Sequence, residues 1–189
     1  MSDHKLSMIF PCSLMHRDSN LVTKKIVKLS KQLVMDYKDS PFYSKCYSTV
    51  RTNDKILDIP EFCDIKSFLN DLLLTYCESL HINSTNIEIT GSWLNYYEKG
   101  GYQDLHNHQN SMISGVLWVK TDNTRDFVFQ APYHFMQPIN PPYTTVNEIN
   151  CVNYEIDSLV GRGLVFMSNM LHRTLPTENE RISLAFNAK

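Results

Sequence analysis

The chain has 189 residues, 42% of them hydrophobic and 20% charged, with a formal net charge of -2. Those figures suit one ordinary globular domain, exclude a disordered tail and give none of the basic footprint that nucleic-acid binders carry. The five cysteines are scattered without a C-x-x-C pair and read as reduced thiols in a cytoplasmic protein; no long uncharged apolar run predicts a membrane span or a signal peptide.

The first segment, "SMIFPCSLMHR", suits an edge strand or an extended arm. Residues 21–37 place Val22, Ile26, Leu29 and Leu33 at helical spacing with lysines opposite, which predicts an amphipathic helix. Irregular chain follows, with room for one short strand. A second helix is predicted where Asp58 can act as cap, Pro60 suits the first turn, and Phe62, Ile65, Leu69, Leu72, Tyr76 and Leu80 form one stripe.

After residue 85 the character changes. "IEITGSWLNYYEKG", "SMISGVLWVK", "RDFVFQ", "VNYEID", "GLVFMS" and "RISLAFN" are short, rich in aromatic or β-branched residues, and separated by Gly, Pro, Asn and Asp. Helices followed by strands predict a mainly β fold, a sandwich or jelly roll with the early helices packed outside one sheet. The expected organisation is a single domain over 1–189, with a helical support region at 1–84 and a jelly-roll core at 85–189. "APYHFMQPINPPY" reads as a long ordered loop, a common place for a substrate lid.

"DLHNHQN" sets His106 and His108 two apart in an extended segment, where such residues share a face and can reach one point. A metal needs a further ligand, and without one the pair reads as two polar residues at a solvated strand end. Near the C-terminus His172 follows an apolar stretch and precedes a polar turn, at the expected rim of a barrel. Arg181 comes nine residues later, placed to point a planar charged fork at a metal-bound carboxylate; taken alone, such an arginine is more often a surface or ion-pair residue.

Together these residues resemble the iron(II)- and 2-oxoglutarate-dependent dioxygenases. The resemblance is closest to a subgroup found in bacteria and cyanobacterial phages. Its signature stands here as Trp93, Asn95, Gly100, His106, His108, Ser111, Ser114, Gly115 and Val116, then Arg181, Ile182, Ser183, Phe186 and Asn187, within residues 85–188. The resemblance implies a double-stranded β-helix, cupin-like, with iron(II) at its open end and 2-oxoglutarate and O2 as co-substrates. His106 and His172 match the two metal-binding histidines, and His108 falls where most members carry a carboxylate. Asp104, on the same strand face, is the alternative third ligand or a support for a histidine. Arg181 matches the arginine that grips the distal carboxylate of 2-oxoglutarate, with Ser183 beside it. Asn95 and Tyr96 compete for a further contact to the co-substrate.

Three neutral imidazoles leave iron one unit more positive than two histidines and a carboxylate, and they also suit zinc, copper and nickel. Leu117 and Val119 are expected either as the apolar wall behind the co-substrate or as core. Tyr133, His134, Tyr143 and Arg173 are candidate substrate contacts. The leading function is an iron(II)/2-oxoglutarate oxygenase, a hydroxylase of unspecified substrate. The alternatives are a three-histidine cupin-type dioxygenase without 2-oxoglutarate, and a non-catalytic metal-binding jelly-roll module. If phage-encoded, the protein would work in the host cytoplasm, with no membrane or nucleic-acid partner expected and the N-terminal helices able to supply a homodimer face.

Overall fold

A computed structural model describes residues 12–38, 45–132 and 141–189. The first helix, α1 (Lys24–Tyr37), begins where the Thr23 hydroxyl accepts the Ile26 N–H at 3.3 Å, and it buries Ile26, Ser30 and Val34. The second, α2 (Cys63–Ser79), begins differently from expectation. Two 3-10 turns, Ile56–Asp58 and Pro60–Phe62, lead directly into it, so the Cys63 N–H donates to the Pro60 carbonyl and no side chain caps the helix. Asp58 instead pairs with Lys66 at 2.7 Å. Leu80 lies beyond the last turn, where its N–H closes the helix and its side chain is exposed rather than part of the buried stripe.

Ten strands form among the described residues: β1 (Leu14–Asp18), β2 (Cys46–Ser48), β3 (Ile89–Tyr97), β4 (Gln103–His106), β5 (Ile113–Lys120), β6 (Phe127–Gln130), β7 (Asn153–Ile156), β8 (Arg162–Met167), β9 (His172–Thr174) and β10 (Arg181–Ala188). They make two antiparallel sheets, one ordered β1-β8-β5-β10-β3-β2 and the other β4-β9-β6-β7. The fold is the expected mainly β double-stranded β-helix. Residues before 85 contribute more than helical support, because β1 and β2 form the two edges of the larger sheet.

Strand alternation divides the larger sheet into two working faces. Outward, Leu94, Leu117, Leu184 and Phe186 pack with Leu69, Leu72 and Tyr76 of α2 in the main core. Gly163 makes this fit possible, since a Cβ there would stand 2.8 Å from Phe68 and 3.1 Å from Leu72. Inward, Val116, Trp118, Leu164 and Phe166 meet Phe127 and Phe129 of the smaller sheet in a second, aromatic core. That aromatic core forms the floor of the site.

Glu180 ties α1 to the larger sheet. Its carboxylate pairs with Lys120 and Lys31, each at 2.6 Å, and accepts the Tyr96 hydroxyl at 2.8 Å. Lys120, then Lys31 and Tyr96, hold the Glu180 carboxyl down to about 2. A carboxyl held low stabilises the fold fully above its ordinary value of 4.5 and loses that contribution as pH falls towards 2. Partial exposure screens the cluster, so Glu180→Gln is expected to remove only about 1 kcal/mol at neutral pH. Urea unfolding at several pH values should show the variant with a shallower acid-side loss than the parent.

Candidate metal centre

Two short strands carry the histidines that could hold a metal. β4 and β9 pair antiparallel, with His106 directly opposite His172. His108 lies just past the end of β4, where its N–H donates to the Ser168 carbonyl at 2.9 Å. One nitrogen from each ring falls within 4.8 Å of those from the other two. The ring centroids of His106 and His172 are 4.3 Å apart, and those of His108 and His172 are 5.1 Å apart.

Each ring is oriented through its other nitrogen. His106 Nδ1 donates to the Asp104 carbonyl at 2.7 Å, and His172 Nδ1 donates to the Met170 carbonyl at 2.9 Å. His108 Nδ1 donates to Asn187 Oδ1 at 2.6 Å, and that oxygen also accepts the Ser114 hydroxyl at 2.8 Å. A carbonyl only accepts, so Nδ1 carries the proton and the Nε2 lone pair is left for the metal. Burial lowers the pKa of all three imidazoles, that of His172 to about 3, so the cluster stays neutral at neutral pH. Three neutral nitrogen donors converging on one point form a ready site for a divalent transition metal.

Asp104 enters this arrangement through its backbone. Its carboxylate is exposed and stands outside the histidine group, while its carbonyl fixes His106. Asn187 is the support that sequence reasoning left without a role. It stands in the quoted signature, and its even spacing from Arg181 and Ser183 would have placed it on the inward face. Asn187→Ala is expected to weaken metal affinity about 10- to 100-fold, the usual effect of losing such a partner, measured by competition with a metallochromic chelator.

A second group lines the same cavity. β10 lies beside β3 with Arg181 opposite Tyr97 and Ser183 opposite Asn95, and all four side chains face the histidines across the cavity. Arg181 is 1% exposed, yet its Nε has no hydrogen-bond partner. Its guanidinium sits 4.2 Å above the Tyr97 ring, and Nη1 is ion-paired with the buried Asp126. A buried guanidinium donor without a partner fits an anionic oxygen ligand in the cavity.

Tyr96 is not brought to this group. Alternation turns it to the outer face, where it bonds Glu180 and packs near Tyr47, so Tyr97 is the tyrosine of the cavity. Counting in twos from Trp93 and Asn95 identifies Tyr97, a signal that the motif-based choice of Tyr96 overlooked. Its hydroxyl donates to Gln103 Oε1 at 3.0 Å, and burial holds its pKa well above the ordinary phenol range. Of the two readings for Leu117 and Val119, wall or core, the core holds. Leu117 and Val119 face the helices, whereas Val116, Trp118, Phe127 and Phe166 line the cavity.

Arg173 is absent from the cavity lining, being turned away between the inward His172 and Thr174 of β9. Tyr143 is exposed, and Tyr133 and His134 lie outside the described residues.

The sequence matches the model of the family described as "Putative 2OG-Fe(II) oxygenase" over residues 91–187. No curated protein matches it. Among solved structures, a prolyl-4-hydroxylase from Pseudomonas putida aligns with a TM-score of 0.65 at 13% identity, covering 94% of this chain and 92% of that one. HygX from Streptomyces hygroscopicus, with nickel and 2-oxoglutarate bound, aligns at 0.62 and 10% identity over 94% and 82% of the two chains. The viral collagen prolyl hydroxylase of Paramecium Bursaria Chlorella virus-1 aligns at 0.55 and 11% identity over 93% and 94%. At these identities the likeness is one of fold.

Proposed function

Because the chain belongs to the 2OG-Fe(II) oxygenase family, we propose that His106, His108 and His172 hold its iron and that Arg181, with Ser183 and Asn95, holds its 2-oxoglutarate. The enzyme is an iron(II)- and 2-oxoglutarate-dependent dioxygenase with O2 as the other co-substrate. Bound iron(II) and 2-oxoglutarate supply oxygen activation, with one oxygen atom going to succinate and the other to the substrate. Family membership decides against the cupin-type alternative and leaves the residue assignments to be carried by geometry. One observation carries them. Three imidazoles held from behind face a buried arginine whose Nε is free, across one cavity.

The chain's own residues set the conditions for that chemistry. The Nδ1 bonds fix three neutral donors before a metal arrives, so binding releases no proton from them. Arg181 and Ser183 provide one end for a dicarboxylate whose other end chelates the metal, which fixes the length and direction of the bound co-substrate. Val116, Trp118, Phe127 and Phe166 keep the wall apolar and exclude water from reactive species.

The reaction on the substrate is hydroxylation in this reading, consistent with a fold shared with prolyl hydroxylases. Five free cysteines support a reducing compartment such as the cytoplasm. The signature around His106 and Arg181 supports the grouping with bacterial and cyanophage enzymes. The net charge of -2 argues against naked nucleic acid as substrate, and α1 and α2 remain the proposed homodimer face.

Iron-loaded protein is expected to release succinate slowly from 2-oxoglutarate in air without any prime substrate, and to stop when iron is chelated. Succinate formation that survives metal removal, or its absence from fully iron-loaded protein bound to 2-oxoglutarate, would contradict the assignment.

A further inference from the structure

Asp126 is a buried carboxylate that the chemistry above leaves unused. It stands immediately before β6 and is 5% exposed. One carboxylate oxygen accepts the hydroxyl of the fully buried Ser158, and the other accepts Arg181 Nη1. The Asp126 carbonyl accepts the Leu175 N–H at 2.8 Å, and the Leu175 carbonyl accepts Arg181 Nη2 at 3.3 Å. Arg181 lines the cavity while Asp126 does not, so the carboxylate grips the guanidinium from behind, and Nε is left without a partner.

That placement has an electrostatic consequence. A buried arginine without a counterion is costly, and here the counterion is built into the protein. The charge of Arg181 is therefore balanced before any co-substrate arrives. At the other end, His108 stands where the resemblance expects a carboxylate, and the three ligands carry no charge. One negative charge is missing at the metal and one is present behind the arginine.

We propose that Asp126 is a positioning residue that carries, behind Arg181, the negative charge that His108 removes from the metal. It rests on the iron and 2-oxoglutarate assignments made above. The sum of charges around the co-substrate then equals that of a two-histidine, one-carboxylate site whose arginine has no counterion, but its distribution differs. The metal end attracts the chelating 2-oxo acid more strongly, and the arginine end attracts the distal carboxylate less. The enzyme consequently discriminates only modestly between 2-oxoglutarate and a 2-oxo acid without the second carboxylate. Asp126 sets that ratio.

The test is an anaerobic titration of iron(II)-loaded protein with 2-oxoglutarate and with 2-oxovalerate, which replaces the distal carboxylate by a methyl group, reading the visible absorption of the chelate. Asp126→Asn keeps the shape and a hydrogen-bond acceptor while removing the charge. It should tighten 2-oxoglutarate at least about tenfold and leave 2-oxovalerate within about threefold, because only the former places a charge beside Arg181. A ratio that stays constant or falls overturns the proposal. His108→Asp gives an independent arm should the asparagine variant fail to fold. The added charge should weaken 2-oxoglutarate about tenfold, and Asp126→Ser, a smaller uncharged substitute, placed in the same chain should restore it. A His108→Asp protein that binds 2-oxoglutarate as tightly as the parent overturns the proposal as well. A parent that forms no chelate with 2-oxoglutarate contradicts the functional assignment instead, so the two failures are distinguishable.

Discussion

His172→Ala should abolish stoichiometric iron binding while leaving the sheets assembled. Among the three histidines His172 is the most deeply placed, 3% exposed, with its ring stacked on Phe127 at 5.3 Å and edge-on to Phe166 at 4.9 Å. Two donors in place of three lose about 100- to 1000-fold in affinity, since an apparent energy of about 10–16 kcal/mol shared among four zinc ligands is about 2.5–4 kcal/mol each. The substitution also opens a cavity in the aromatic core, at a cost of about 2–3 kcal/mol. Metal content by plasma mass spectrometry, beside circular dichroism, separates the two effects. Full iron occupancy in the variant would remove His172 from the ligand set.

Arg181→Ala has the second large effect, and it reaches both stability and binding. Removing the guanidinium leaves the Asp126 carboxylate buried without its ion-pair partner, which costs about 3–5 kcal/mol. The same change removes the guanidinium that lines the cavity and leaves the Asp126 charge unopposed, so 2-oxoglutarate affinity should fall at least about 100-fold, the loss expected for a desolvated charge pair of about 3 kcal/mol. The double variant Arg181→Ala/Asp126→Ala separates these contributions. It should recover most of the thermal stability, because no buried charge is left alone, and only the part of the affinity that the unpaired Asp126 charge had cost. Full recovery of both would show that Arg181 serves the fold only.

The strands with clear period-two patterning were legible in the sequence because each has one face in an apolar core. β10 shows why: Ile182, Leu184 and Phe186 pack against the helices, which turns Arg181, Ser183 and Asn187 inward. β4 and β9 have four and three residues, too few for a pattern, and they form because each pairs with the other and β9 also pairs with β6. The histidines on and beside them were nevertheless legible, since H-x-H and a distant histidine are a chemical signal independent of periodicity.

What was not legible depends on contacts across the chain. Asp126 is separated from Arg181 by 55 residues, and in "NTRDFVFQ" it looks like one more loop charge beside Arg125. Only the closing of the smaller sheet over β10 brings the carboxylate to the guanidinium. Tyr96 was misplaced for a local reason, a shift of one residue that moves a side chain to the opposite face. The start of α2 depended on backbone hydrogen bonds in two successive 3-10 turns, which made an Asp58 cap unnecessary.

The most direct measurement is an anaerobic titration of the metal-free protein with iron(II) and then 2-oxoglutarate, following the visible metal-to-ligand charge-transfer band. A band that requires His172 and shifts to higher 2-oxoglutarate concentration in the Arg181→Ala/Asp126→Ala protein is the predicted result. Iron bound at full occupancy with no band at saturating 2-oxoglutarate would contradict the account.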